Sequence, residues 1–183
     1  MAETSNMMPL GTIAPDFTLP NPVTGETATL QGLKSDTATV IMFICNHCPY
    51  VKHLNGEIVK LAKDYQPKGV SVIAINSNDV NNYPEDAPEK MKEVAQQVGY
   101  SFPYLYDETQ EVAKAYQAAC TPDFYVFDKD LKCAYRGRLD GATPKNNVPV
   151  TGEELRAALD AILAGQPVNS DQKPSMGCSI KWK

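Results

Sequence analysis

Apolar residues along this chain follow two alternating patterns. Residues 38–44 and 70–75 are uninterrupted β-branched and apolar runs, which read as strands buried on both faces. Between them Val51, Leu54, Ile58, Leu61, Ala62 and Tyr65 fall at helical spacing, and Pro67 and Gly69 end that helix. Met91, Val94, Ala95 and Val98 mark a second helix closed by Gly99, and Val112, Ala115, Tyr116 and Ala119 a third. Asp16-Phe-Thr-Leu19 and Thr27-Ala-Thr-Leu30 flank a Pro- and Gly-containing turn and predict an N-terminal β-hairpin. Phe124-Tyr-Val-Phe127 and Lys132-Cys-Ala-Tyr135 predict an antiparallel pair. A last helix carries Leu155, Ala158, Leu159, Ile162 and Leu163, with Thr151 and Glu154 spaced as a capping box.

The order is hairpin, strand, helix, strand, helix, helix, hairpin, helix. It predicts an α/β domain with a mixed central sheet and helices on both faces. A single domain over residues 1–183 is expected, with its core at about 10–165. Residues 1–15 read as a loose lead-in, and 76–88 as a long polar loop. The tail, 166–183, is polar but ends in Gly177-Cys-Ser-Ile-Lys-Trp182, which contains the only tryptophan. Trp, Ile and Cys together predict that this end docks back onto the domain.

Composition narrows the function. The chain has 183 residues and a net charge of −5, so nothing in it recruits nucleic acid or an anionic membrane. No apolar run is long enough to cross a bilayer, and residues 1–9 have no basic region followed by a long apolar stretch, so no secretory signal is expected. There is no Gly-rich nucleotide fingerprint, and no cofactor is expected. The five cysteines are an odd set without a regular framework, which fits a cytoplasmic chain with reduced thiols.

Cys45-Asn46-His47-Cys48-Pro49 stands out, between a buried strand and an amphipathic helix. Two residues are too few for a structural staple, so the spacing suits redox cycling or a metal. A cysteine at a helix N-terminus meets free N–H groups and the positive end of the dipole, which favour thiolate. On this basis Cys45 is the expected acidic thiol, and Pro49 fits the first turn. His47 as imidazolium would stabilise a thiolate and make the disulfide more oxidising. Thr121-Pro122 opens a strand and reads either as a simple turn or as a cis proline facing the dithiol. Cys120, beside it, and Cys178, in the tail, are possible accessory redox thiols. Cys133 reads as structural. His53 reads as a solvated helix residue; its alternative is a copper or zinc site with Cys45, Cys48 and His47. No second Cys-x-x-Cys or Cys-x-x-His is present, so no metal is assigned. Arg136, Arg138 and Asp140 form a charged turn able to contact the tail or an anion, and Tyr50 reads as packing.

These residues together resemble the thioredoxin superfamily, in its alkyl hydroperoxide reductase/thiol-specific antioxidant (AhpC/TSA) branch. The resemblance rests on Ala14-Pro-Asp-Phe-Thr-Leu19, the strand with Cys45-Asn-His-Cys-Pro49, and Thr121-Pro-Asp-Phe-Tyr-Val-Phe-Asp128. It implies a thioredoxin-like fold and a thiol–disulfide oxidoreductase. Cys45 would attack, Cys48 resolve, Pro122 be the cis proline, and the Thr121 backbone receive an extended substrate segment. The implied partners are a disulfide-containing protein or small molecule and an electron donor. Thiol-dependent peroxidase activity is the alternative, and a copper- or zinc-binding domain a second. Two departures count: Ile44 stands where thioredoxin has Trp, and Met42 occupies the position where a peroxidase carries Thr.

Overall fold

In the computed structural model, which describes residues 2–183, the chain opens with β1 (Ala2–Thr4). The hairpin β2 (Thr18–Pro20) and β3 (Thr27–Thr29) follows, then a one-turn helix α1 (Leu30–Leu33). Next come β4 (Ala38–Phe43), α2 (Pro49–Tyr65), β5 (Val70–Asn76), α3 (Pro88–Val98) and β6 (Tyr104–Tyr106). The second half holds α4 (Glu111–Ala115), β7 (Cys120–Thr121), β8 (Asp123–Phe127), β9 (Cys133–Gly137), α5 (Glu153–Leu163) and β10 (Met176–Ser179).

The main sheet has the order β6-β5-β4-β8-β9. Strands β4, β5 and β6 are parallel, while β8 and β9 run antiparallel, so the sheet is mixed. Alternation along β4 divides the core. Val40 and Met42 pack with α2, α3 and α5, while Ile41 and Phe43 face the N-terminal segment and α4. Each such side chain, fully buried, contributes roughly 1.5–3 kcal/mol. With both faces covered, β4 has no polar side and reads as the continuous apolar run seen in the sequence.

Three expectations are corrected, and one strand, β6, was not anticipated. The lead-in is anchored: β1 pairs with β10, and Met8 is buried. Its Met1 lies outside the described residues. The third helix stops at Ala115, with Tyr116 fully buried against Phe43 and Tyr125, so Ala119 belongs to the approach to β7. Strand β6 carries no hydropathy signal distinguishing it from its flanks, yet all three residues are buried beside β5. The capping box does not form. Gly152 is the N-cap of α5, and buried Asp140 accepts the N–H groups of Thr151 (2.8 Å) and Gly152 (2.7 Å). Glu154 instead accepts from Arg138 Nε at 2.9 Å.

The tail docks as expected. Ser5 and Ser175 bond reciprocally, Ile180 N–H donates to the Ala119 carbonyl, and Ile180 is only 3% exposed in the second core. Trp182 remains half exposed under the Lys114 ammonium. No helix among the described residues is long and apolar enough to cross a membrane.

Candidate active site

The Cys45–Cys48 segment fills the turn between β4 and α2. Helix α2 begins at Pro49, and its N-cap is Cys48, not Cys45. Cys45 precedes the helix in the connecting bend. The free N–H groups and dipole therefore act foremost on Cys48, which corrects the expectation that Cys45 is the acidic thiol. Both sulfurs are shielded: Cys45 is 2% exposed and Cys48 0%.

The two intervening residues are held by a carboxylate that sequence reasoning did not single out. Asp86, fully buried, accepts from the Asn46 N–H at 2.7 Å, Asn76 Nδ2 at 3.2 Å and Asn78 Nδ2 at 3.1 Å. Asn46 and Asn76 share its Oδ1, while the Oδ2 that accepts from Asn78 also meets His47 Nδ1 at 2.5 Å. Asn46 is fixed at both ends of its amide: Nδ2 donates to the Glu85 carbonyl (2.9 Å) and Oδ1 accepts from Tyr104 (2.8 Å). The His47 ring stacks on Tyr83, with centroids 5.6 Å apart. The bond to Asp86 raises the His47 pKa against the opposing effect of burial. Burial pushes Asp86 up, but His47, the Asn46 N–H and Asn78 outweigh it and hold the carboxyl below its usual range. His47 is thus charge-matched by Asp86, not a free imidazolium facing the thiols.

This pair sets a pH window. The His47 contribution is present below its ordinary pKa of 6.5 and fades as pH rises through the raised value. The Asp86 contribution is present above 3.8 and fades as pH falls through the lowered value. Asp86→Asn is expected to destabilise by about 2 kcal/mol, since it breaks charge-assisted bonds and leaves donors unpaired. Denaturant unfolding of both proteins across pH checks this. The gap should be widest between 3.8 and 6.5 and narrow on either side.

Opposite the dithiol, the Thr121–Pro122 bond is cis, as expected. The Thr121 hydroxyl lies 3.4 Å from Cys45 Sγ, and the Thr121 carbonyl 3.4 Å from Cys48 Sγ. An extended segment does run along Thr121, but it is the chain's own tail. Strand β10 pairs antiparallel with β7, placing Cys178 opposite Thr121 and Ser179 opposite Cys120. Cys178 Sγ then sits 2.6 Å from Cys48 Sγ. All five cysteines are free thiols.

Hydrogen bonding from Cys45 and then from Cys178 overcomes burial and draws the Cys48 thiol down to about 5. Its hydrogen bond to Cys48, burial and the Asp86 charge push Cys45 well above the usual thiol range. Cys178 is raised to about 11, by burial first and then by its bond to Cys48. The acidity of the site is thus drawn toward Cys48 and away from Cys45 and Cys178.

The other candidates fall elsewhere. Cys120 is buried with its Sγ toward the Pro122 and Ser175 carbonyls, and burial raises its pKa strongly. Cys133 is buried and faces the Tyr135 carbonyl. His53 is exposed on α2, outside the site. A metal-capable group does exist, but its members are Cys45, His47 and Asp86, whose ligand atoms lie within 4.8 Å of one another. It lacks Cys48 and His53, which the sequence had grouped with Cys45 and His47. Arg136 contacts the tail through Gln172, and Arg138 pairs with Glu154. Tyr50 is buried at the start of α2 and packs, as expected.

Comparison with solved structures places this arrangement among relatives. An uncharacterized conserved protein from Geobacillus kaustophilus is 67% identical over 100% of this chain and 97% of its own, with a TM-score of 0.99. A hypothetical protein from Sinorhizobium meliloti 1021 is 46% identical over 98% of each chain, with a TM-score of 0.96. A thiol:disulfide interchange protein of the thioredoxin family from Chlorobium tepidum TLS shares the fold at a TM-score of 0.64 and 16% identity, covering 84% of this chain and 97% of its own. No curated protein matches the chain. The AhpC/TSA family model matches residues 10–136, and with the mixed sheet and cis proline already in place, the chain belongs to the AhpC/TSA family of thioredoxin-fold redox proteins.

Proposed function

We propose that the protein is a thiol–disulfide oxidoreductase that cycles Cys45 and Cys48 between dithiol and disulfide. The observation that carries this is the placement of Cys48 as the N-cap of α2, with Cys45 beside it and its thiol drawn down to about 5. Such a sulfur is ionised at neutral pH, and thiolate is the reacting form.

In the proposed cycle the proton shared between the two sulfurs shifts to Cys48, and Cys45 attacks a substrate disulfide. One substrate sulfur leaves as a thiolate. Cys48 surrenders its proton to that leaving group and attacks Cys45 Sγ. The Cys45–Cys48 disulfide forms and the second substrate thiolate is released. An external dithiol then restores the reduced pair. The odd set of five cysteines, without a regular framework, is the feature that supports a cytoplasmic donor. Asp86 and His47 are positioning residues that hold the turn.

A specific observation favours a second reading, thiol peroxidase. Both sulfurs are covered, which suits a small oxidant, and the Thr121 hydroxyl beside Cys45 is placed to donate to an oxygen. The test runs both substrates with a dithiol donor. Turnover of insulin or glutathione disulfide without hydroperoxide consumption supports the first reading. Hydroperoxide consumption above that of free thiols, with no disulfide turnover, replaces it with the second.

A further inference from the structure

We propose that Cys178 is a third redox thiol, which exchanges with the Cys45–Cys48 disulfide and carries it toward the surface. This rests on the redox role of Cys45 and Cys48 and adds the route by which electrons reach them.

Geometry makes the case. Cys48 lies between two sulfurs, and Cys178 stands 2.6 Å from it, about half an ångström beyond a ~2.05 Å disulfide bond. Cys178 is only half buried, whereas Cys45 and Cys48 are covered. The approach is built into the fold. Cys178 is held opposite Thr121 by strand pairing, and Ser175 bonds the Pro122 carbonyl on one side of it. On the other side, the Lys181 N–H donates to Asn78 Oδ1 at 2.9 Å. Gly177 lets the strand come this close, since a Cβ there would stand 1.8 Å from the Thr121 carbonyl oxygen.

The exchange needs no added oxidant. With Cys45 and Cys48 joined, the Cys178 thiolate attacks Cys48 Sγ. The Cys48–Cys178 bond forms, the Cys45–Cys48 bond breaks, and Cys45 leaves as a thiolate that takes up the proton Cys178 gave up. An external dithiol next attacks Cys178 Sγ, the accessible sulfur, and Cys48 leaves as a thiolate. The second thiol of the donor then attacks the mixed disulfide, releasing Cys178 thiol and oxidised donor. In the reduced protein burial, the bond to Cys48 and the Cys48 charge together hold the proton on Cys178. Once Cys48 is in a disulfide that charge is gone, and Cys178 ionises more readily.

Disulfide mapping tests this. Wild type, Cys178→Ser and Cys45→Ser are equilibrated in graded dithiothreitol buffers, quenched in acid, alkylated and analysed as peptides. The expected wild-type result is both Cys45–Cys48 and Cys48–Cys178 linkages. Cys178→Ser should hold only Cys45–Cys48 and be reduced several-fold more slowly by dithiothreitol, and Cys45→Ser should hold Cys48–Cys178. Wild type with Cys45–Cys48 alone in every buffer, and Cys178→Ser reduced at the wild-type rate, would overturn the relay while leaving the Cys45/Cys48 couple standing. A Cys178→Ser protein without any Cys45–Cys48 linkage, where wild type also lacks it, would instead remove the couple and the relay with it.

Discussion

Replacing Cys48 by Ser is expected to abolish disulfide turnover, a loss on the order of a thousandfold or more because the reacting couple is gone. The physical reason is its central position. Cys48 caps α2 and lies beside Cys45 and Cys178, and the acidity of the site resides on its sulfur. The ultraviolet absorbance of thiolate gives a second readout. In wild type it should rise as pH climbs through about 5 and then hold. In Cys48→Ser that rise near pH 5 should disappear, because the sulfur that carries it is gone. The Ser variant should also keep a mixed disulfide on Cys45, with no neighbour to displace it. A rise that stays near pH 5 in Cys48→Ser would place the acidic thiol elsewhere.

The second large effect is expected at Gly177. A Cβ there would fall 1.8 Å from the Thr121 carbonyl oxygen and 2.5 Å from its carbon. Both are backbone atoms, so no side chain can swing aside. Gly177→Ala should lift β10 off β7 and β1 and expose Ile180. Burial of that side chain alone contributes roughly 1.5–3 kcal/mol, and lost strand pairing adds to it, for a cost of about 3 kcal/mol or more. Denaturant unfolding measures the cost. Limited proteolysis should cut near residue 176, and Cys48 should alkylate faster than in wild type. Gly56→Ala is the control. Gly56 is an exposed position of α2 with nothing within 4 Å of an added Cβ, so it should stabilise by roughly 0.5–1 kcal/mol. Equal behaviour of the two variants would contradict the tight tail contact.

The legible parts of the fold are those written in local spacing. Strands β4 and β5 declare themselves by unbroken apolar runs, and α2 by its apolar face and Pro49. The Cys45–Cys48 turn is legible for the same reason, since strand, motif and helix are contiguous. The docking of the tail could be anticipated from Ile180 and Cys178, residues that a solvated tail rarely carries. Features that depend on distant partners were not readable. Asp86 sits in a polar loop among other acidic residues, and only folding brings it against Asn46 and His47, 40 and 39 positions away. Its sole signal was placement between Pro84 and Pro88, which stiffens the loop. Strand β1 is three polar or small residues whose order comes from pairing with β10 at the far end of the chain. The capping box at Thr151 lost to Asp140, a better-placed buried acceptor.

Thr121 and Pro122 were expected to receive an external segment, yet the Thr121 edge is paired with β10. A protein substrate must displace that strand, react through the partly exposed Cys178, or give way to a small molecule that reaches Cys45 past Thr121.

The proposed function requires Cys45 and Cys48 to form a reversible couple. Equilibrium titration of the wild-type protein in graded glutathione buffers, with the thiols counted by alkylation at each step, tests it most directly. Cys48 is expected to lose alkylation in a single reversible two-electron transition, with Cys45 and, to the extent that the Cys48–Cys178 linkage forms, Cys178 as its partner, while Cys120 and Cys133 remain alkylatable after unfolding throughout. If Cys45 and Cys48 stay alkylatable across the whole range, or oxidise singly and irreversibly, the claim is contradicted.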